Sequence, residues 1–303
     1  MSAAFAERIQ NGFYDSMIAQ AKSMEESCLA FADYKHHFFP EADWGSATRY
    51  VTPQKKVFHT NIFGEVCGSG DGTQISAKGN HFVGTTENPN YITDTTRVKD
   101  TIVLRAPTDA PEALVQIFED QIGTLNQIRQ ADADQEADEF TQYTVKEWIK
   151  SPAPGETQNM IVITSPPRYS VEDNPGNTST VPRIEKRTHD GNVKAPPPVP
   201  VEDKGHRSCA FPLAFRIGAL YDPSILPDYK GDLFKHRRAK LVQHDVRDEE
   251  GRLVPPWEIY SALRPGTVVL IMVTLHCYIM GADNIKKRKV CCGASYSIRV
   301  LMA

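Results

Sequence analysis

Six cysteines and nine histidines are the first residues to question, since thiolates and imidazoles most often carry nucleophilic or metal chemistry. Their spacing argues against both. His276, Cys277, Cys291 and Cys292 could gather on a zinc ion, but adjacent cysteines separated by a long gap reproduce no C-x2-C pair. His36 and His37 stand near Glu41 and Asp43 in the loop HHFFPEADW, with no further ligand along the chain. The acidic run DADQEADE (132–139) imitates a calcium loop, yet its sixth position, which must be glycine to turn, is Ala137. GSGDG (68–72) has no lysine behind it and opens onto no helical pattern, so it reads as a turn and not as a phosphate cradle. No G-x-S-x-G, H-E-x-x-H or Walker pattern occurs. The expectation is therefore no catalytic residue, no metal and no cofactor. An enzyme whose residues meet only in three dimensions would leave no such trace and stays open.

Charge says more. Residues 204–303 hold 16 Lys and Arg against 9 Asp and Glu, while residues 1–203 hold 18 against 29, so a basic third at +7 is joined to an acidic remainder at -11. That asymmetry suits a surface facing a polyanion, and equally suits ordinary solvated charge. With 40% hydrophobic and 24% charged residues in 303, the composition is that of a globular protein able to bury a core. The first residues, MSAAFAERIQNGFYDSM, have no unbroken apolar stretch, which predicts no secretory leader. Cysteines spread through so long a chain point to a reduced, intracellular compartment, nucleus or cytoplasm.

The elements that must position any binding side chains come next. Phe5, Ile9, Phe13, Met17, Ala21, Met24 and Cys28 recur at steps of three and four, predicting helix over 3–32 with one packing face. KKVFHTNIFGEVC, GSGDG and QISAKGNHFVGTT read as a β-hairpin around a glycine-rich turn, and DTIVLRAP as a further strand. A helix over 109–130 starts with Pro111 and Glu112 in its first turn, and buries Leu114, Ile117, Phe118, Ile122, Leu125 and Ile128. Val145, Trp148 and Ile149 suggest a short helix, and NMIVITSPPRYS a buried strand stopped by its prolines. These place an N-terminal α+β region over 1–170. A proline-rich linker or long insertion covers 171–205, and a basic module covers 206–303.

Within the last block, RPGTVVLIMVTLHCYIM (264–280) is the most hydrophobic passage of a chain whose mean hydropathy is -0.41. As a helix the run from Thr267 would reach only about 21 Å, against a hydrocarbon core of about 30 Å. Val268, Val269, Ile271, Val273, Thr274 and Ile279 are β-branched and predict a central strand, covered on both faces and bent midway around a barrel. The order strand, turn, strand, short helix from PPWEIYSAL, long strand, basic turn, last strand matches an OB-type barrel. The fold expected is therefore α+β and mainly β, with an OB-like β-barrel in the C-terminal part.

The block LVPPWEIYSALRPGTVVLIMVTLHCYIM, closed by IRVL, resembles a module of uncharacterised proteins of mushroom-forming fungi, and its end resembles the last strands of OB-type single-strand-binding proteins. The resemblance covers roughly 207–303. It implies that Lys286, Lys287, Arg288 and Lys289, with Arg237, Arg238 and Lys240, contact phosphates, and that Trp257, Tyr260 and Tyr278 stack bases. KKRK also suits a nuclear-import patch or a solvated loop, Trp257 a helix-start packing residue, and Tyr278 the core. The function expected is a non-enzymatic protein binding single-stranded nucleic acid, DNA in the first instance, with no membrane partner and with an acidic end serving regulation or self-association. The competing expectation is a self-assembling β-rich subunit, capsid-like or filamentous.

Overall fold

The computed structural model describes residues 3–43, 47–136, 144–146, 148–152, 158–171, 216–280 and 288–302. At the N-terminal end the apolar repeat makes two helices, not one: α1 (Ala3–Gln10) and α2 (Phe13–Ser23). Gly12 breaks them at φ 65°, a left-handed conformation glycine enters without a Cβ clash. Beyond the break the expected packing face holds, with Met17, Ala21 and Cys28 buried, while Ile9 ahead of it is exposed.

Strands β1 (Phe39–Ala42) and β2 (Ala47–Val51) form an antiparallel hairpin, followed by β3 (His59–Val66). The expected partner for β3, QISAKGNHFVGTT, is not a strand. β3 pairs instead with β4 (Thr101–Arg105), and residues 67–100 form no strand between them, with backbone bonds to β4 at Cys67 and Gln74. That segment is too rich in Gly, Asn, Asp and Pro to sustain a ladder. GSGDG does turn, as a single 3-10 turn at Ser69–Asp71.

Helix α3 (Glu112–Glu136) buries all six residues of its predicted stripe. Its Gln121 is fully buried and bonds both backbone groups of Phe63, donating to the carbonyl at 3.1 Å and accepting the amide at 3.0 Å. This occupies β3 where β4 does not yet pair with it. The expected helix around Trp148 is instead two short strands, β5 (Thr144–Lys146) and β6 (Ile149–Lys150). Trp148 lies buried edge-on to Tyr50, and β6 pairs with β7 (Met160–Thr164), giving this stretch sheet partners that a helix would forfeit.

After β8 (Tyr169–Ser170) the described chain resumes with β9 (Leu220–Tyr221), β10 (Lys240–Val242), β11 (Asp245–Arg247) and the one-turn helix α4 (Ile259–Ala262). The apolar run is β12 (Val268–Met280), which turns back into β13 (Arg288–Met302). Along β12 the side chains of Val269, Ile271, Val273, Leu275 and Cys277 point into the core, and Thr274 on the other face is covered too. Each aliphatic side chain so buried stabilises the fold by on the order of 1.5–3 kcal/mol. The expected bend falls at Met272/Val273, where the register against β13 slips as at a bulge.

The sheet is mostly antiparallel and curled, with few helices, and is compatible with an OB-like α+β fold. Its order is β1-β2-β12-β3-β4-β7-β13-β11, and β12 also pairs with β13, so β3, β4, β7, β13 and β12 close a ring. β7 and β13 run parallel and the other ring pairs antiparallel. Three ring strands thus precede residue 170 and two follow residue 267, so the sheet is not a product of residues 206–303 alone. Among the described residues no helix is long and apolar enough to cross a membrane.

A second, three-stranded sheet, β8-β10-β9, stands beside the ring over its own small core of Ala77, Ile92, Val98, Tyr169, Tyr221, Leu226, Ala239 and Leu241. This lobe is assembled from the excursion between β3 and β4 and the segments between β7 and β12. A buried ion pair, Arg168 to Asp100, fastens it to the barrel, while Arg168 also donates its amide to Val98 and accepts one from Val242.

Candidate nucleic-acid interface

The basic segment DYKGDLFKHRRAK (228–240) runs along the lobe with little regular structure, and other parts of the chain fix its path. Leu233 accepts the amide of Ile92 at 2.9 Å, and Ile92 accepts that of Lys235 at 2.7 Å, tying the segment to residues 91–93 as a strand would. Two residues on, the Asp94 carboxylate accepts the amides of Arg237, Arg238 and Ala239 at 3.0, 3.1 and 3.0 Å. Those amides, Ala239 first and then Arg238, hold Asp94 below the usual carboxylate range. Asp94 is thereby engaged by the backbone. The side chains of Arg237 and Arg238 are exposed, and among the described residues neither pairs with a carboxylate.

Exposed aromatics stand on the element to which this segment is tied. Phe82 is 74% exposed and Tyr91 42%, with the Lys235 ammonium 5.2 Å from the Tyr91 ring centre. The turn between them is rigidly made: Asn90 donates its side-chain amide to Phe82 and its backbone amide to Val83, and His81 Nε2 bonds the Asn90 carbonyl. Gly84 closes it at φ 78°, where a Cβ would lie 2.4 Å from the Asn88 carbonyl. A large aromatic ring held out on so defined a turn costs hydrophobic exposure with no return inside the fold.

Next to the segment, a cleft of about 310 Å³ opens between the lobe and α4. It is lined by Ser76, Ala77 and Arg168, by Leu226, Pro227 and Asp228 where the chain enters the basic segment, and by Pro256, Trp257, Tyr260 and Ser261 at α4. Pro255 and Pro256 open the turn that precedes α4; Trp257 sits in that turn and Tyr260 on α4 itself. Trp257 is half-buried and braced edge-on by Tyr221, with ring centres 5.6 Å apart, while Tyr260 is 68% exposed. Asp228 accepts the Ala77 amide at 2.7 Å.

The residues expected to bind nucleic acid are thus partly brought together. Arg237, Arg238 and Lys240 share one segment, Lys240 half-buried in β10 at its end, and Trp257 with Tyr260 forms one wall of the neighbouring cleft. Tyr278 is elsewhere, half-buried in β12 and paired in register with Ala47 and Val290. Arg288 and Lys289 begin β13, opposite Met280 and Ile279, and Lys286 and Lys287 lie outside the described residues. The pattern reading missed Phe82, Tyr91, Lys235, Arg168 and Asp228. Phe82 had a usable signal, being a large aromatic in a stretch otherwise made of turn residues.

No protein-family model matches the chain, and no curated protein matches it. Solved structures similar to it include the single-stranded DNA-binding protein from bacteriophage Enc34, at 11% identity and a TM-score of 0.33, covering 88% of this chain and 90% of that one. The same phage protein in complex with single-stranded DNA matches with the same score and covers 96% of its own chain. A third is gp2.5, a single-stranded DNA-binding protein encoded by bacteriophage T7, at 9% identity and a TM-score of 0.35, covering 80% of this chain and 91% of that one. Scores of this size do not establish a shared fold, and the ring stands on its own strand pairings.

Proposed function

We propose that the protein binds single-stranded nucleic acid, DNA in the first instance, without catalysis, along the lobe edge formed by residues 229–240, the 81–91 turn and the Trp257–Tyr260 wall. The observation that carries this is Arg237 and Arg238: exposed, unpaired by any described carboxylate, and presented on a backbone that Asp94 clamps. Cations left unneutralised on a fixed path suit phosphates, whose binding releases condensed counterion. Phe82, Tyr91 and Tyr260 are exposed on the elements around the segment, Tyr91 against Lys235, and would supply rings on which bases stack whatever their identity. Charge alone would serve duplex and single strand alike, and the exposed rings favour the strand whose bases are free. Arg288 and Lys289, with Lys286 and Lys287, extend the same reading to the start of β13 and the residues before it, and Tyr278 extends it along β12. The experiment is fluorescence anisotropy with a labelled oligo-dT and a duplex of equal length at low and moderate salt. Binding that prefers the single strand and weakens steeply with salt is the expected result. No binding at low salt refutes the proposal.

A further inference from the structure

We propose that the cleft between the lobe and α4 takes up one unpaired nucleobase and is the device that selects single strands over duplex; this rests on the nucleic-acid reading above. Its chemistry is wrong for phosphate. Arg168 at its floor is buried and already balanced by Asp100, and Asp228 puts a carboxylate on the rim. One oxygen of Asp228 takes the Ala77 amide, and among the described residues the other has no hydrogen-bond partner. A spare carboxylate oxygen repels an anion and accepts from an N–H.

What fits is a flat, neutral group with N–H donors on its edge and faces that stack. Tyr260 and Trp257 line the cleft together with Arg168 and Asp228, and every base has a face to offer them. The volume of about 310 Å³ is at the bottom of the range for small-ligand sites, enough for one base and too little for a run of them. Each of the four bases carries an N–H on its Watson–Crick edge, the amino groups of guanine, adenine and cytosine and the ring N–H of thymine. In a duplex those donors are bound to the partner strand and stacked inside. Only an unpaired base can turn one toward Asp228, and unstacking it is least costly when the strand is already single.

Arg168 is the wrong residue to change, because its loss strands the buried Asp100. Ser261 and Tyr260 are exposed at the mouth, on α4. Ser261→Trp plugs the cleft and Tyr260→Ala removes a stacking face. Anisotropy with labelled oligo-dT and with a duplex of equal length should show each variant losing about fivefold or more in affinity for the single strand, with duplex affinity unchanged. Tyr260 also serves the interface, so Ser261→Trp is the decisive variant; a urea midpoint equal to the wild type's shows that it folds, and normal oligo-dT binding by the folded Ser261→Trp overturns the cleft. If both bind oligo-dT like the wild type while Arg237→Ala/Arg238→Ala binds worse, the cleft assignment falls, the Trp257–Tyr260 wall leaves the interface, and the phosphate contacts of residues 229–240 stand. Equal losses for single strand and duplex also overturn it. If the unaltered protein binds neither, the interface and the cleft fall together.

Discussion

Replacing Arg237 and Arg238 by alanine tests the interface with a number the structure supplies. Both guanidiniums are exposed, and Asp94 holds the backbone amides at these positions, which alanine retains. The variant therefore keeps the path of the segment and loses only charge. Residues 229–240 contain five cations, Lys230, Lys235, Arg237, Arg238 and Lys240. If each neutralises one phosphate of a single strand, log K falls against log salt with a slope of about -3.5, or about -0.7 per contact. Between 50 and 200 mM salt the wild type then loses about 130-fold in affinity. With three contacts the slope is about -2.1 and the loss about 20-fold. The assay is anisotropy of a labelled oligo-dT of about 16 nucleotides across that range. A variant whose slope equals the wild type's shows that phosphates do not lie on these two arginines. A wild-type slope much steeper than -3.5 would mean that further cations, with Lys286 to Lys289 the first to test, share the strand.

Three other outcomes follow from the frame that holds the lobe in place. Glu65 is fully buried and accepts from Arg8 at 3.0 Å, Arg105 at 2.8 Å, and the Thr108 amide and hydroxyl at 3.1 and 2.7 Å. Glu65→Ala leaves the buried Arg8 without that partner, so urea denaturation should show a loss of about 3–5 kcal/mol, and a loss under about 1 kcal/mol contradicts the account. Gly64→Ala places a methyl 2.9 Å from the Arg105 carbonyl and 3.1 Å from the Phe118 ring, which should cost about 1–3 kcal/mol in the same assay; a neutral effect would show that β4 and α3 can yield there. Burial pushes His244 down to about 4, with the Arg168 charge adding to it and a hydrogen bond with the Pro167 backbone opposing. Its folded value lies below the unfolded one of 6.5, so the unfolded chain takes the proton first. The stability at stake is whole above about pH 6.5 and drains as pH falls toward 4, by up to about 3 kcal/mol. Denaturation of His244→Asn against pH should be flatter than the wild type in that window, and an equal slope would place the proton uptake elsewhere.

What the sequence made legible was whatever a single element decides by itself. The β-branched run of β12 must be a strand, and the stripe from Leu114 to Ile128 must be one helix face, because burial along one element writes a period into it. Where a second element decides, the same reading failed. Val145, Trp148 and Ile149 have an apolar spacing that suits a short helix, and only the edges offered by β7 and β13 make them strands. The hairpin expected after β3 failed for the same reason. The strand that pairs there, β4, comes after 34 intervening residues, and local pattern carries no record of so distant a pairing.

The candidate interface divides along this line as well. Arg237 and Arg238 announce themselves, since two adjacent arginines seldom serve a core. Their usefulness depends on Asp94, 143 residues earlier, whose carboxylate turns an irregular stretch into a fixed one. The cleft is less legible still: Ser76, Arg168, Asp228 and Trp257 come from four separate stretches and meet only because the lobe folds back on α4. Arg168 reads in sequence as one more basic residue after a double proline. Its pairing with Asp100 is what removes it from the pool of phosphate binders and leaves Asp228 to set the sign of the cleft. A tally of positive charge would have placed phosphate here. The pairing of charges favours the neutral base proposed above.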